Sequence, residues 1–146
     1  RLHELLASNI GIHEVDLDSQ FDLPRRHYGL VFLLGILYHL KSPFYVLETL
    51  AKHTRYCILS TRIARATVDG AVALERAPLA YLLDPTECNN DPTNYWIFSM
   101  AGLLRLADRC GWNVIAHRRV GDTAASDPSS HEHDERAFLL LESRHA

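Results

Sequence analysis

The stretch YGLVFLLGILYHLKSP, residues 28–43, limits the possible folds more than any other part of the sequence. From Tyr28 to Ile36 it is almost continuously apolar and of strand length. That is the pattern of a parallel strand buried on both faces rather than of a half-exposed element. It falls well short of the roughly 20 residues that cross a bilayer, as does every other apolar segment, so a membrane protein is not expected. Ser42 and Pro43 suit the cap and first turn of a helix. Phe44, Val46, Leu47 and Leu50 then recur at helical spacing, and RYCILSTRI resumes strand character. Strand, helix and strand in that order make a crossover unit, which places the chain in the α/β class.

The rest of the chain extends this pattern. RLHELLA has helical character, and NIGIHEV reads as a short strand over 10–15 with Asp16 at its exit. Residues 64–94 read as a long structured loop, rich in Asp, Asn and Thr toward its end. A helix should begin at Ser99 and stop at Gly111, burying Leu103, Leu104, Leu106 and Ala107. NVIAHRRV and RAFLLLES supply two final strands, joined by a polar segment, GDTAASDPSSHEHDE, that is expected to be mobile. At 146 residues, 47% hydrophobic and 23% charged, the composition suits one globular domain. A net charge of −3 provides no general basic field for nucleic acid. Three widely spaced cysteines, Cys57, Cys88 and Cys110, predict reduced thiols and a cytoplasmic location. The sequence opens at Arg1 rather than methionine, and reads as part of a longer protein.

In an open α/β sheet, ligands bind beyond the carboxyl ends of the strands. Tyr38 and His39, Asp16, and Thr61 with Arg62 all stand at such ends and form a candidate ligand shelf. His39 suits a general base, or the cap of the following helix. Gly35 suits close approach of a ligand, or close packing. Asn89, Asn90, Asn94, Tyr95 and Trp96 offer amides and aromatic faces to a planar substrate; the same loop also reads as a series of Asx turns with Trp96 in the core. HEHDE, residues 131–135, lacks the spacing of a zinc site and reads as a solvated polar loop, so no metal is expected. Arg62, Arg65, Arg118 and Arg119 read as scattered solvated charge rather than as a phosphate-binding patch.

The order of Asp16, ILYHLKSP and CGWNV closely resembles the later part of a class I S-adenosylmethionine-dependent methyltransferase, over nearly all of the chain. The resemblance implies a Rossmann-like core with a mixed sheet and an antiparallel C-terminal strand pair. It implies a cofactor site at Asp16 and Leu17 for adenine and at Leu34, Gly35 and Ile36 along the crevice. Substrate would meet Tyr38, Asn89, Asn90, Asn94, Tyr95 and Trp96, with His39 as the candidate catalytic group. YHLKSP and NNDPTNYW also resemble a subgroup containing wobble-uridine tRNA methyltransferases, which adds tRNA to a small molecule as candidate acceptor.

The departures matter equally. The seven glycines are isolated, and no G-x-G occurs. The family's glycine-rich first strand and loop, and the acidic residue after its second strand, therefore have no counterpart, and Gly29 stands where an Asp is common. The chain is expected to be a truncated methyltransferase domain: 1–63 the remaining cofactor half, 64–112 the substrate loop and helix, 113–146 the C-terminal strands. Its own binding of S-adenosylmethionine should be weak or absent. The alternative is a non-catalytic fragment or interaction subunit that needs a partner chain. Segments 29–36, 56–62, 113–120 and 136–142 should share one sheet. The edge of 29–36 should be covered by the displaced 10–16 segment, by upstream residues or by self-association.

Overall fold

The computed structural model describes residues 5, 7, 9–122 and 124–145. Of RLHELLA, where a helix is expected, only Leu5 and Ala7 are among the described residues. The crossover unit forms as its periodicity requires: β1 (Tyr28–Leu34) leads through a 3-10 turn (Leu37–His39) into α1 (Pro43–His53) and then β2 (Thr54–Ile63). β1 and β2 are parallel, with Leu30 opposite Tyr56 and Leu34 opposite Ser60. The loop after β2 contains β3 (Ala80–Leu82), which pairs antiparallel with β4 (Trp96–Phe98). α2 (Met100–Arg109), β5 (Trp112–Gly121) and β6 (Glu135–Ser143) complete the chain.

One sheet holds all six strands. β6 lies antiparallel between β2 and β5, and β4 joins the far end of β2 at Ile63 and Phe98. The four segments expected to share a sheet do so. Both helices pack on the same face. There Leu33, Cys57, Leu59, Leu139 and Leu141 meet Val46, Leu47 and Leu50 of α1 and Leu103 and Ala107 of α2. Trp112 lies fully buried among them and donates its indole N–H to the Leu47 carbonyl at 3.0 Å. Each large side chain sealed here contributes roughly 1.5–3 kcal/mol. A smaller cluster of Ala64, Leu74, Leu83, Cys88 and Ile97 holds the 64–99 segment against the strand ends.

Several expectations are corrected. Residues 10–15 form no strand and do not cover the edge of β1; Ile10 and Ile12 are exposed. A strand forms only by pairing in a sheet, and among the described residues the sheet takes in no strand from 10–15. β1 is not buried on both faces: only Leu33 is buried, because the helices cover one face and β1 pairs only with β2. Ser42 makes no side-chain cap; its own N–H donates to the Asp18 carboxylate instead. Ser99 does cap α2, accepting from the Gly102 N–H at 2.9 Å. Gly102 also lets α2 approach β3, since a Cβ there would sit 2.3 Å from the Leu79 carbonyl oxygen. The polar segment before β6 is tied down: Ser126 and Asp127 are buried, and the Ser126 carbonyl accepts from the N–H groups of Arg65 and Ala66.

Candidate functional site

The site begins where β1 ends. Gly35 has φ +70°, a left-handed conformation that costs most side chains about 1 kcal/mol or more. Its N–H donates to the Ser60 carbonyl, after which the backbone turns away from the sheet. The 3-10 turn then presents Tyr38 and His39, whose rings lie 4.3 Å apart. The Tyr38 carbonyl accepts from the Tyr95 N–H at 2.8 Å. His39 Nδ1 lies 3.1 Å from both the carbonyl and the hydroxyl of Thr93. Lys41 sits 5.9 Å from the Tyr95 ring centre. Two segments far apart in sequence, 38–41 and 93–95, are thus joined over the end of β1.

A buried ionic cluster stands beside them. Arg62 and Arg136 face each other across β2 and β6. Like charges directly opposite are destabilising unless an acid intervenes, and Asp134 provides it, 3.3 Å from Arg62 Nε and 3.1 Å from Arg136 Nε. Arg62 also donates to the Cys88 thiol and to the carbonyls of Asp127 and Ser130. Arg136 lies 6.0 Å from the Tyr38 ring, which connects this cluster to the shelf. Burial raises the Cys88 thiol despite the opposing Arg62 charge, which makes it a poor nucleophile. Glu135 is fully buried, accepting from Ser126 at 2.6 Å and Arg65 at 3.2 Å.

The structure treats the sequence-derived site residues unequally. Tyr38, His39 and Tyr95 come together. Asn94 is buried and donates to the Cys88 carbonyl, so it serves the loop. Asn89 and Asn90 are exposed in left-handed conformations at the loop tip. Trp96 is half-buried in β4, packed against the main core. Leu34 and Ile36 are exposed, and Leu17 packs on the core. Asp16 is exposed, and its carboxylate accepts from the Asp18 N–H. Asp18 in turn holds the start of α1, so the turn lies near the shelf. Arg62 and HEHDE were read as solvated, yet Arg62 is buried, His133 bonds to Asp127, and Asp134 and Glu135 are paired. No local sequence signal marks this cluster, because it is assembled by the pairing of β2 with β6.

The resemblance implies S-adenosylmethionine, and these residues can be tested against it. Gly35 leaves open space at the end of β1, with the nearest side-chain atoms 3.8–3.9 Å from a notional Cβ. The Asp16 carboxylate is already engaged in its own turn, and no second strand end with a glycine-rich loop stands beside β1. The described residues therefore form one wall of a crevice and do not by themselves fit the whole cofactor.

No family model matches the chain, and no curated protein sequence does. Solved structures do match. The N-terminal domain of EvdMO1, solved in the presence of SAH and D-fucose, superposes with a TM-score of 0.63 at 16% identity, covering 98% of this chain and 59% of that one. An S-adenosylmethionine-dependent methyltransferase from Mesorhizobium loti gives 0.61 at 10% identity, covering 95% and 73%. Another from Clostridium acetobutylicum ATCC 824 gives 0.60 at 8%, covering 97% and 68%. The chain spans about three fifths to three quarters of these structures. Its mixed sheet, one-sided helices and antiparallel C-terminal pair are the later part of the class I methyltransferase fold.

Proposed function

We propose that this chain is the acceptor-side part of an S-adenosylmethionine-dependent methyltransferase acting on a small hydroxylated molecule, with tRNA the second candidate acceptor. The observation that supports this most is the superposition of nearly the whole chain on solved methyltransferases, with Gly35, Tyr38 and His39 at the strand end where the fold places its ligands. In this reading 1–63 carry what the chain has of the cofactor half, with Asp16 and Leu17 toward adenine and Leu34, Gly35 and Ile36 along the crevice. Residues 64–112 carry the substrate loop and helix, and 113–146 the C-terminal antiparallel strands. Tyr38, Asn89, Asn90, Tyr95 and Trp96 line the approach, with Asn94 holding the loop and His39 the candidate proton acceptor. The D-fucose present with the EvdMO1 domain favours a small acceptor over RNA. So does the net charge of −3, which provides no general basic field for a phosphate backbone.

The cofactor cradle is completed by a strand, loop and helix set against the open edge of β1, on the same polypeptide or on a partner. No described helix is long and apolar enough to cross a membrane, and the buried thiols fit a cytoplasmic setting. The test is to express the whole reading frame and measure conversion of S-adenosylmethionine to S-adenosylhomocysteine with a panel of small hydroxylated acceptors and with bulk tRNA. Turnover with a small acceptor supports the proposal; turnover with tRNA alone transfers the function to RNA. A cofactor-binding protein with neither activity would favour the interaction subunit.

A further inference from the structure

A second cavity lies away from the Tyr38 shelf, between the chain leaving β2 and the segment entering β6. About 340 Å³ in volume, it is lined by residues 65–70, 124–127 and His133. That is at the small end of ordinary ligand sites. We propose that it binds a neutral polyhydroxylated molecule of monosaccharide size, with His133 accepting a hydrogen bond from one ligand hydroxyl.

The polar groups of this cavity are held in fixed orientation. Asp127 is buried; its Oδ1 accepts from the N–H groups of Ser129 at 2.9 Å and Ser130 at 2.7 Å, and its Oδ2 lies 2.9 Å from His133 Nδ1. Burial works to raise the Asp127 carboxyl, but these bonds prevail and hold it below the usual carboxylate range. A carboxylate only accepts, so the imidazole proton belongs on Nδ1 and the Nε2 lone pair remains as an acceptor on a half-buried ring. Ser126 Oγ donates to the buried Glu135 and keeps its own lone pairs. Asp69 Oδ1 is fixed by the Thr67 hydroxyl and the Ala71 N–H. The site is therefore preorganised and costs little rotamer freedom on binding.

Its charge and shape select the ligand. Arg65 is matched by Glu75 at 3.0 Å and Glu135 at 3.2 Å, while Asp69 and Asp127 add negative charge, so an anion is disfavoured. Among the described residues no Phe, Tyr or Trp lines the cavity, and the one ring that does, the His133 imidazole, is tied to Asp127, so the site offers little stacking surface to a base. What remains is a wall of Ala66, Val68, Ala124 and Ala125 interleaved with hydroxyl, carboxylate and imidazole groups, which suits a hydroxylated ring. Arg62 runs from the Asp127 carbonyl to Asp134, and Asp134 to Arg136 over Tyr38, so the cavity and the shelf share one polar framework. That the ligand is the methyl acceptor rests on the proposed function; that it binds does not.

Amide and imidazole chemical shifts of the whole chain, titrated with D-galactose and D-glucose and separately with D-glucose 6-phosphate, test this without any cofactor. Saturable shifts at 65–70, 124–127 and the His133 ring are expected, with affinity of about millimolar for so small a ligand. The phosphate ester should bind several-fold more weakly. Val68→Trp, at an exposed position, should fill the cavity and abolish the response while leaving the rest of the spectrum in place. Asp127→Asn, which frees the imidazole tautomer, should weaken binding several-fold. No saturable shift at these residues, equal or tighter binding of the phosphate ester, or a response unchanged in Val68→Trp would overturn the proposal.

Discussion

The two faces of the sheet carry almost the same residue types but not the same burial. Leu33, Leu59, Leu139 and Leu141 on the helix side are at most 4% exposed. On the opposite side Leu30, Phe32, Leu34, Phe138 and Leu140 are 37–59% exposed, and a groove of about 380 Å³ runs along Ile58, Ala116, Phe138 and Leu140. Alternation in β6 separates Leu139 and Leu141 from Phe138 and Leu140 by a single residue each. An apolar strand sequence thus encodes two buried faces, and α1 and α2 cover one of them. Contiguous apolar surface of this kind marks an interaction face, and sheets built on parallel crossovers are normally covered on both sides.

Substitutions at paired positions on the two faces should separate them most sharply. Leu59→Ala should cost about 3 kcal/mol in urea unfolding, by lost burial and a residual cavity. Leu140→Ala, in the neighbouring strand but facing out, should change stability by about 0.5 kcal/mol or less. Equal losses would mean that the outer face is also packed in solution. Next in size is Arg62→Met, which leaves Asp134 without its buried partner beside Cys88. Because Asp134 can still reach water and Arg136, the expected loss is about 2 kcal/mol. Asp134→Asn in the same background should recover part of it, and failure to recover would show that the two residues do not act as a pair.

Smaller effects test the site. Gly35→Ala should cost about 1 kcal/mol through its positive φ, without any clash, since a Cβ there meets only ordinary contacts. The Asp127 carboxyl titrates below its ordinary range in the folded chain, so its contribution is complete above the unfolded carboxylate pKa and is lost as pH falls through the lower folded value. Protection of the amides in 126–133, relative to their intrinsic exchange rates, should accordingly fall as pH drops below the ordinary carboxylate range, while β2 and β6 remain protected. Exchange in that segment that is fast at neutral pH would contradict the hydrogen bonds assigned to it.

The crossover from β1 through α1 to β2 was legible because hydrophobic period and the placement of Pro43 at a helix start are local properties, although the Ser42 cap expected beside it does not form. The exposure of β1 was not, since burial depends on which elements lie opposite, and an apolar run looks the same in either case. Residues 10–15 have strand composition but no partner strand in the sheet. β3 is only three residues long and pairs across a 13-residue loop (83–95) rich in turn residues, so its pattern was too short to register. That Tyr38 and His39 lie just past a strand end was legible, whereas the Arg62, Asp134 and Arg136 cluster depends on a cross-strand register that no local pattern reveals.

The central claim is that these residues have the later part of a methyltransferase fold, and the proposal that rests on it is that they form one wall of a cofactor site, completed against the edge of β1 that no described strand pairs with. Titration calorimetry of this chain alone with S-adenosylhomocysteine tests it most directly. The account predicts no saturable heat, or a dissociation constant weaker than about 1 mM. A dissociation constant near 1 μM would contradict it, because the cradle would then lie within residues that include no glycine-rich loop to hold the cofactor.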